Sequence, residues 1–180
     1  MKIYSTRHGQ TNYNKQELIL GVTNVQLNDT GVSQARQLAD EIEKIGDIDF
    51  IVASPMYRAS HTALIISEKC GLKFVIDDRL REWDYGEYEG KSRFTENFPE
   101  DKREFAVKMG KTGESVLQVA HRVYSFLDEI IEKYSDKNIL LVSHGGICRI
   151  IETYFHDMST EKYSNWFMGN CQLIEYEVTK

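Results

Sequence analysis

Short apolar runs of strand length alternate along this chain with longer segments whose apolar residues recur at helical spacing. The run Phe50–Ala53 is apolar at every position, which is typical of a strand covered on both faces. Val32–Ile45 instead repeats its apolar residues every three or four positions, which predicts an amphipathic helix. Alternating strands and helices favour an α/β layered domain with a mostly parallel sheet.

The same patterns place the remaining elements. Thr30 is predicted to cap the helix that ends at Gly46. The further predicted helices are Met56–Cys70, Ser115–Tyr134 and Ile147–Phe155. The further predicted strands are Lys2–Thr6, Phe74–Ile76, Ile139–Val142 and an edge strand, Gln172–Val178.

Nothing in the sequence divides the chain into parts. It has two prolines, no low-complexity tract and no internal repeat. We therefore predict one domain over residues 1–180. The polar segment Lys91–Gly113 is predicted to be a helical excursion on the surface of that domain.

The charge balance restricts the partners. With 22 Lys and Arg against 28 Asp and Glu, the net charge is −6, so general binding to nucleic acid or to an anionic membrane is not expected. Three scattered cysteines without a CxxC pair predict neither a disulfide framework nor a zinc ribbon. The charged N-terminus does not resemble a signal peptide, which predicts a cytoplasmic protein. Any anion that it binds must be held by a local cluster of cations.

Reactive side chains follow four of the predicted strands. In open α/β sheets, ligands bind outside the carboxyl ends of the strands, so these residues are expected at one edge. The four segments are Arg7-His8-Gly9, Ser54 to Arg58, Arg79 to Glu82, and Ser143-His144-Gly145-Gly146.

This set of residues suits a phosphoryl group. Guanidinium forks match phosphate oxygens, and a neutral imidazole can attack phosphorus. Arg7 and Arg58 would disfavour protonation of His8, and the glycines beside the histidines would let the backbone approach a ligand. A carboxylic acid would protonate the leaving alkoxide, but position alone does not choose among Glu82, Asp84, Glu87 and Glu89.

Each of these residues also has an ordinary structural interpretation, as a surface or salt-bridged side chain or a tight turn. The functional interpretation is favoured because four such signals coincide at one predicted edge. No P-loop, G-x-S-x-G elbow, HExxH motif or dinucleotide fingerprint is present in the sequence.

At this point the sequence resembles the histidine phosphatase superfamily, in its phosphoglycerate-mutase-like branch. The resemblance covers nearly the whole chain and lies in motifs that occur in the family's order. They are Arg7 to Thr11 with Asn14, Leu27 to Ala35, Ser54 to Ala63, Leu80 to Glu82 with Gly86 and Glu89-Gly90, Gly113 to Ser115, and Val142 to Gly146.

The resemblance implies a three-layer sandwich with helices on both faces of a mostly parallel sheet. It also implies His8 as the phosphorylated nucleophile and Glu82 as the proton donor and acceptor, without a metal or other cofactor. The phosphate pocket that it implies consists of Arg7, Asn14, Arg58, His144 and the Gly145 backbone.

The chain departs from the family pattern before Gly21, where Leu18-Ile19-Leu20 replaces polar residues that are common there. Leu20 and Gly21 are therefore predicted to belong to a substrate loop that either contacts a less polar leaving group or packs on the domain.

The main prediction is a metal-independent phosphomonoesterase of the histidine acid phosphatase type, acting on small phosphorylated metabolites. A phosphoglycerate mutase is the alternative, disfavoured by the short chain and the acidic segment Glu96 to Glu104. A non-catalytic phospho-ligand-binding module is less favoured, because both His8 and Glu82 are present.

Overall fold

A computed structural model describes residues 1–178 and contains one five-stranded sheet. The strand order is β3-β2-β4-β1-β5. Strands β1, β2, β3 and β4 pair in parallel, and β5 pairs antiparallel with β1 at the edge. The strands are β1 (Lys2–Arg7), β2 (Phe50–Ala53), β3 (Phe74–Ile76), β4 (Ile139–Ser143) and β5 (Leu173–Glu177). The mostly parallel sheet is confirmed.

Seven helices surround or extend this sheet in the described residues, and two short 3-10 helices, Asp78–Leu80 and Gly86–Tyr88, follow β3. The α-helices are α1 (Asn12–Lys15), α2 (Asp29–Ile45), α3 (Tyr57–Cys70), α4 (Phe98–Asp101), α5 (Val116–Lys133), α6 (Gly145–Phe155) and α7 (Thr160–Asn165).

The central strand β4 shows why the domain has three layers. Its side chains alternate in direction, so Ile139 and Leu141 face one side of the sheet, and Leu140 and Val142 face the other. The first pair packs with apolar residues of α5 and α6, and the second pair packs with those of α2 and α3. Both faces are apolar because helices cover both, and the predicted three-layer architecture is confirmed.

Two helices begin at residues other than the predicted ones. Helix α2 begins at Asp29, because the Asn28 side chain accepts a hydrogen bond from the Gly31 amide at 2.9 Å. Thr30 therefore lies in the first turn and is not the cap. Helix α6 begins at Gly145, before the predicted Ile147, with His144 as its N-cap residue.

The predicted helical excursion at Lys91–Gly113 is wrong. Only α4 is helical there, and the rest of the segment consists of turns and irregular backbone. Phe98 and Met109 are buried in the core beside α5 and α6, which draws the segment onto the domain. A continuous helix is excluded because Asn97, Gly110 and Lys111 have positive φ angles.

Candidate active site

Four chain segments meet at the carboxyl edge of the sheet. Arg7 ends β1 and His8 follows it, while His144 follows β4. Arg58 lies in the first turn of α3, and Glu82 follows the 3-10 helix Asp78–Leu80. All five side chains are buried. The structure therefore brings together the residues that were expected at this edge.

The imidazole of His8 is fixed in one tautomer. Its Nδ1 lies 2.6 Å from the carbonyl oxygen of Gly9, so this nitrogen donates its hydrogen there. The opposite nitrogen, Nε2, accepts a hydrogen bond from Arg58 Nε at 3.2 Å. Burial, and then the charges of Arg58 and Arg7, hold the pKa of His8 well below its usual 6.5. His8 is therefore neutral at neutral pH, with a lone pair on Nε2.

Arg58 is held by backbone carbonyls rather than by a carboxylate. Its Nη2 donates to Gly21 O at 2.6 Å, and its Nη1 donates to Thr23 O at 2.9 Å. Burial lowers the pKa of Arg58 to about 10, so the guanidinium still carries its charge at neutral pH. This charge lies beside His8, and no carboxylate of residues 1–178 forms an ion pair with it.

Two buried nitrogens at this site have no hydrogen-bond partner within residues 1–178: Arg7 Nε and His144 Nδ1. Arg7 Nη1 donates to Met168 O at 3.0 Å, and His144 Nε2 lies 2.7 Å from Ser54 Oγ. Burial lowers the pKa of both Arg7 and His144. Since buried polar atoms are costly when unpaired, these nitrogens are suited to an anionic ligand.

Glu82 points to the start of α6. One carboxylate oxygen accepts from the Trp83 amide at 2.9 Å, and the other accepts from the Gly146 amide at 3.2 Å. Arg122 holds the segment in place by donating to the carbonyl oxygens of Arg79, Arg81 and Glu82. The Glu82 carboxylate thus has a fixed position near the ends of β1 and β4, the strands that precede His8 and His144.

Comparison with known proteins agrees with this arrangement. Residues 3–180 match the family described as the histidine phosphatase superfamily, branch 1. The chain belongs to the histidine phosphatase superfamily. The resemblance of the sequence motifs to this family is thereby confirmed.

Relatives of this histidine phosphatase include enzymes of two kinds. Phosphoserine phosphatase 1 of Hydrogenobacter thermophilus is 29% identical over 184 residues, which cover 99% of this chain and 85% of the relative. Phosphoglycerate mutase-like protein 4 of Arabidopsis thaliana is 34% identical over 156 residues, which cover 82% of this chain and 68% of the relative. The solved structure of a mycobacterial glucosyl-3-phosphoglycerate phosphatase superposes with a TM-score of 0.85 at 26% identity, covering 97% of this chain and 90% of that one.

The active-site cavity of this histidine phosphatase has a volume of about 110 Å³. Among the predicted site residues, Arg7, His8, Asn14, Leu20, Glu82 and Gly145 line it. Arg58 and His144 lie behind this lining and are fully buried. Gly21 contributes its carbonyl to Arg58 instead of lining the cavity. Ile19 and Leu20 pack on the domain, since both are buried, and they also line the cavity; contact with a leaving group stays a prediction.

Two glycines next to the histidines serve packing between protein segments. A Cβ at Gly9 would lie 2.4 Å from Gly31 O, and one at Gly146 would lie 2.6 Å from a Glu82 carboxylate oxygen. Gly9 thus lets β1 approach α2, and Gly146 makes room for Glu82. Gly145, directly after His144, lines the cavity, and a Cβ there would lie 3.5 Å from Arg7 Nε, so the interpretation that a glycine lets the backbone approach a ligand stays a prediction.

Sequence reasoning missed several residues of this histidine phosphatase's site. Asn170 donates to His8 O at 2.8 Å and comes from the chain just before β5. Glu89 accepts hydrogen bonds from the loop that holds Arg58. The missed residues that line the cavity are Tyr85, Arg93, Phe98, Lys102, Arg149, Trp166, Phe167 and Met168. Tyr85 and Glu89 lie in a motif that the family resemblance covers, whereas the segment around Trp166 carried no recognisable signal.

Glu89 is the most densely bonded of these residues. Its carboxylate accepts hydrogen bonds over distances of 2.7 to 3.3 Å. The donors are the amides of Gly21, Val22, Thr23 and Tyr85 and the hydroxyl of Thr23. Since Gly21 and Thr23 also hold the Arg58 guanidinium, Glu89 positions Arg58 through this loop.

Within residues 1–178, no group of three or more His, Cys, Asp or Glu side chains is arranged to hold a metal ion. Over the same residues, no helix is both long enough and apolar enough to cross a membrane.

Proposed function

We propose that this histidine phosphatase is a metal-independent phosphomonoesterase of small molecules that works through a phosphohistidine on His8. The observation that carries the proposal is the neutral His8 imidazole, whose Nε2 faces a charged Arg58 at 3.2 Å inside a small cavity. Such a nitrogen can attack phosphorus, and a covalent intermediate divides one difficult displacement into two easier steps.

The first step transfers the phosphoryl group. Arg58 Nε first transfers its hydrogen bond from His8 Nε2 to a phosphoryl oxygen, which frees the lone pair of Nε2. His8 Nε2 then forms a bond to phosphorus while the bond from phosphorus to the ester oxygen breaks, and that oxygen leaves with the electron pair. The negative charge on the phosphoryl oxygens is stabilised by Arg7, Arg58 and His144. Asn14 and the Gly145 amide contribute to the same phosphate pocket. Glu82, as the acid, gives its proton to the leaving oxygen, which becomes an alcohol.

The second step releases phosphate. Water attacks the phosphorus of phosphohistidine, and Glu82, now a carboxylate, takes a proton from that water. The bond between phosphorus and Nε2 breaks, and His8 returns to its neutral form. The hydrogen bond from Nδ1 to Gly9 O holds the ring in place through both steps.

The names of relatives support hydrolysis of small phosphate esters, since two of the three described above are named as phosphatases. The lowered pKa of His8 supports the acid phosphatase-type activity that the resemblance implies, because burial and the neighbouring arginines disfavour protonation of the nucleophile. Three further expectations stay predictions. They are the single domain over residues 1–180, the cytoplasmic location, and the absence of nucleic-acid and membrane partners.

Phosphate release in the presence of EDTA tests this proposal. We expect the purified protein to release inorganic phosphate from a panel of about fifty small phosphate esters at equal rates with and without the chelator, because arginines neutralise the phosphoryl group. Free phosphate is measured over time. Loss of activity in EDTA that a divalent ion restores would contradict the metal-independent mechanism.

A phosphoglycerate mutase is the second candidate function. It is favoured by the Arabidopsis relative, whose name is mutase-like, and by the cationic residues Arg93 and Lys102 in the cavity. These come from the polar segment whose acidic charge had disfavoured a mutase. With 3-phosphoglycerate and a bisphosphate primer, we expect phosphate and little 2-phosphoglycerate. Interconversion without phosphate release would favour the mutase.

Replacing Glu89 by glutamine is expected to lower kcat/KM about 10- to 100-fold on every ester. The backbone N–H groups that now donate to the Glu89 carboxylate would then face the NH₂ group of the glutamine side chain. Each hydrogen bond to a charged group stabilises the folded loop by about 1.5–3 kcal/mol, and this would be lost. The loop at Gly21 and Thr23 would then hold Arg58 less firmly. Steady-state kinetics on alkyl and aryl phosphates measure the effect.

Glu87→Gln is the matched control, because the Glu87 side chain is 52% exposed and pairs with Lys111 on the surface. A Glu89→Gln enzyme with normal kinetics and a lowered melting temperature would show that Glu89 serves stability alone.

A further inference from the structure

The ring of His144 carries a single hydrogen, and its neighbours decide which nitrogen holds it. Burial, and then the charge of Arg58, hold the pKa of His144 well below its usual 6.5, so the ring is neutral at neutral pH. A neutral imidazole has a hydrogen on one nitrogen and a lone pair on the other. The hydrogen bond that one nitrogen makes fixes the state of both. For His144 this bond joins Nε2 to Ser54 Oγ, at 2.7 Å.

Ser54 is a buried residue between β2 and α3. Its amide donates to Val142 O at 3.0 Å, which places it beside the end of β4. Its hydroxyl oxygen accepts a hydrogen bond from the Met56 amide at 3.3 Å. Apart from that amide, His144 Nε2 is the one hydrogen-bond partner of this hydroxyl within residues 1–178.

A count of donors and acceptors favours one arrangement of the hydrogens. If the Ser54 hydroxyl donates to His144 Nε2, the ring hydrogen lies on Nδ1, and only this hydrogen lacks a partner among the described residues. If Nε2 instead donated to Oγ, two buried groups would be unpaired, the hydroxyl hydrogen and the Nδ1 lone pair. Because each unpaired buried polar group is costly, the first arrangement is favoured.

The Nδ1 atom of His144 lies close to the nucleophile. It is buried and has no hydrogen-bond partner in residues 1–178. The centre of the His144 ring lies 5.2 Å from that of the His8 ring, and Gly145, the next residue, lines the cavity. A hydrogen on Nδ1 would attract a phosphoryl oxygen, whereas a lone pair there would repel it.

Resting on the proposed function, we propose that Ser54 is a positioning residue of this histidine phosphatase, whose hydroxyl holds His144 in the tautomer that donates a hydrogen bond from Nδ1 to a phosphoryl oxygen. Ser54 acts through His144, since Ser54 itself does not line the cavity. The proposal adds the residue that prepares His144 for this task.

The two histidines then use the same tautomer for different tasks. In His8, Gly9 O accepts the Nδ1 hydrogen, which leaves the Nε2 lone pair for phosphorus. In His144, the Ser54 hydroxyl occupies the Nε2 lone pair, which leaves the Nδ1 hydrogen for the ligand. The neighbour of each ring thus makes one a nucleophile and the other a hydrogen-bond donor.

Nitrogen NMR of the histidine rings tests the tautomer in the isotope-labelled, ligand-free wild type. The signals of His144 are identified by their absence in His144→Ala. We expect the chemical shifts of a protonated Nδ1 and an unprotonated Nε2. In Ser54→Ala these shifts should move towards the average of the two tautomers, because Nε2 has lost its donor. A protonated Nε2 in the wild type, or unchanged shifts in Ser54→Ala, would overturn the inference.

Kinetics test the consequence for catalysis. Ser54→Ala is expected to lower kcat/KM about 10- to 100-fold, the size of a hydrogen bond left unmade in a buried site. The loss should be equal on glycerol 3-phosphate and p-nitrophenyl phosphate, because the phosphoryl oxygens of the two esters are the same. Loss of a general acid would instead depend on the leaving group. Ser54→Thr, which keeps a hydroxyl, should retain most of the activity.

Ser60→Ala is the matched control. The Ser60 hydroxyl lies in the first turns of α3, donates to the carbonyl oxygens of Met56 and Tyr57, and is outside the cavity lining. Its removal should leave kcat/KM unchanged. Melting temperatures of the serine variants show whether each retains its fold.

A double-mutant cycle separates the positioning role of Ser54 from a structural one. In the His144→Ala background, Ser54→Ala should lower kcat/KM by less than about threefold, because no ring is left to be held. A structural role, through the Met56 amide at the start of α3, would give the same loss in both backgrounds and would overturn the inference. Absence of phosphate release by the wild type on every ester would refute the proposed function, while the NMR shifts would still decide whether Ser54 sets the tautomer.

Discussion

Replacing His8 by alanine is expected to reduce turnover by about 10⁴-fold or more on every phosphate ester, because the variant has no nucleophile. The Nε2 atom of His8 is the nitrogen that the Gly9 hydrogen bond keeps unprotonated and that Arg58 approaches at 3.2 Å. The wild-type enzyme, quenched during turnover of a labelled ester, should carry an acid-labile, base-stable phosphoryl group on His8. Peptide mapping of the quenched enzyme locates the label.

His121→Ala is the matched control, because His121 is exposed on α5 and lies outside the cavity lining. The melting temperature of His8→Ala shows whether the fold is retained. Since the two rings lie 5.2 Å apart between centres, His144 is the alternative acceptor. A label on His144, or full turnover by His8→Ala, would contradict the assignment.

Replacing Glu82 by glutamine is expected to cost a factor of about 10²–10⁴ on alkyl phosphates, the usual size of general-acid assistance. An alkoxide leaves slowly unless a proton arrives as its bond to phosphorus breaks. The phenolate of p-nitrophenyl phosphate needs little such help, so the burst rate on that ester should fall much less. Rapid-quench kinetics on both esters measure the first step apart from hydrolysis of phosphohistidine.

The structure supplies matched controls for this experiment. Among the four acidic candidates, all in the described residues, Glu82 alone lines the cavity. Asp84 accepts from the Gly86 amide at 2.8 Å, Glu87 pairs with Lys111, and Glu89 holds the Arg58 loop. Asp84→Asn and Glu87→Gln should therefore retain the wild-type burst rate on both esters. An equal loss of burst rate on both ester types in Glu82→Gln would show that Glu82 is not the acid.

The regular elements could be predicted because their signals are local. Four-residue apolar runs and helical spacing predicted the strands and long helices to within a few residues, and the sheet is mostly parallel as expected. The start of α2 was misplaced because two candidates separated by one residue, Asn28 and Thr30, are both good cap residues. Only the backbone geometry shows that Asn28 bonds the Gly31 amide.

The segment Lys91–Gly113 could not be predicted in the same way. Its polar composition favoured a surface helix, but the burial of Phe98 and Met109 decides its course. Phe94, Phe98, Phe105 and Met109 recur at helical spacing, yet Phe94 and Phe105 are exposed while Phe98 and Met109 are buried, so the spacing does not report the structure. The backbone path of this segment also places Arg93 and Lys102 in the lining of the cavity. The acidic character of the segment had not predicted cations there.

The sequence by itself determined the order of strands and helices and the meeting of His8, Arg58 and His144 at one edge. It could do so because apolar periodicity is local and parallel strands all end on the same side of a sheet. The family resemblance had already implied Glu82 among the four carboxylates, and the structure places it in the cavity lining. The tertiary structure alone decided how Glu89 reaches the Arg58 loop and which cations line the cavity. Those outcomes depend on contacts between irregular segments far apart in the chain, where burial and hydrogen bonding of individual side chains set the backbone path.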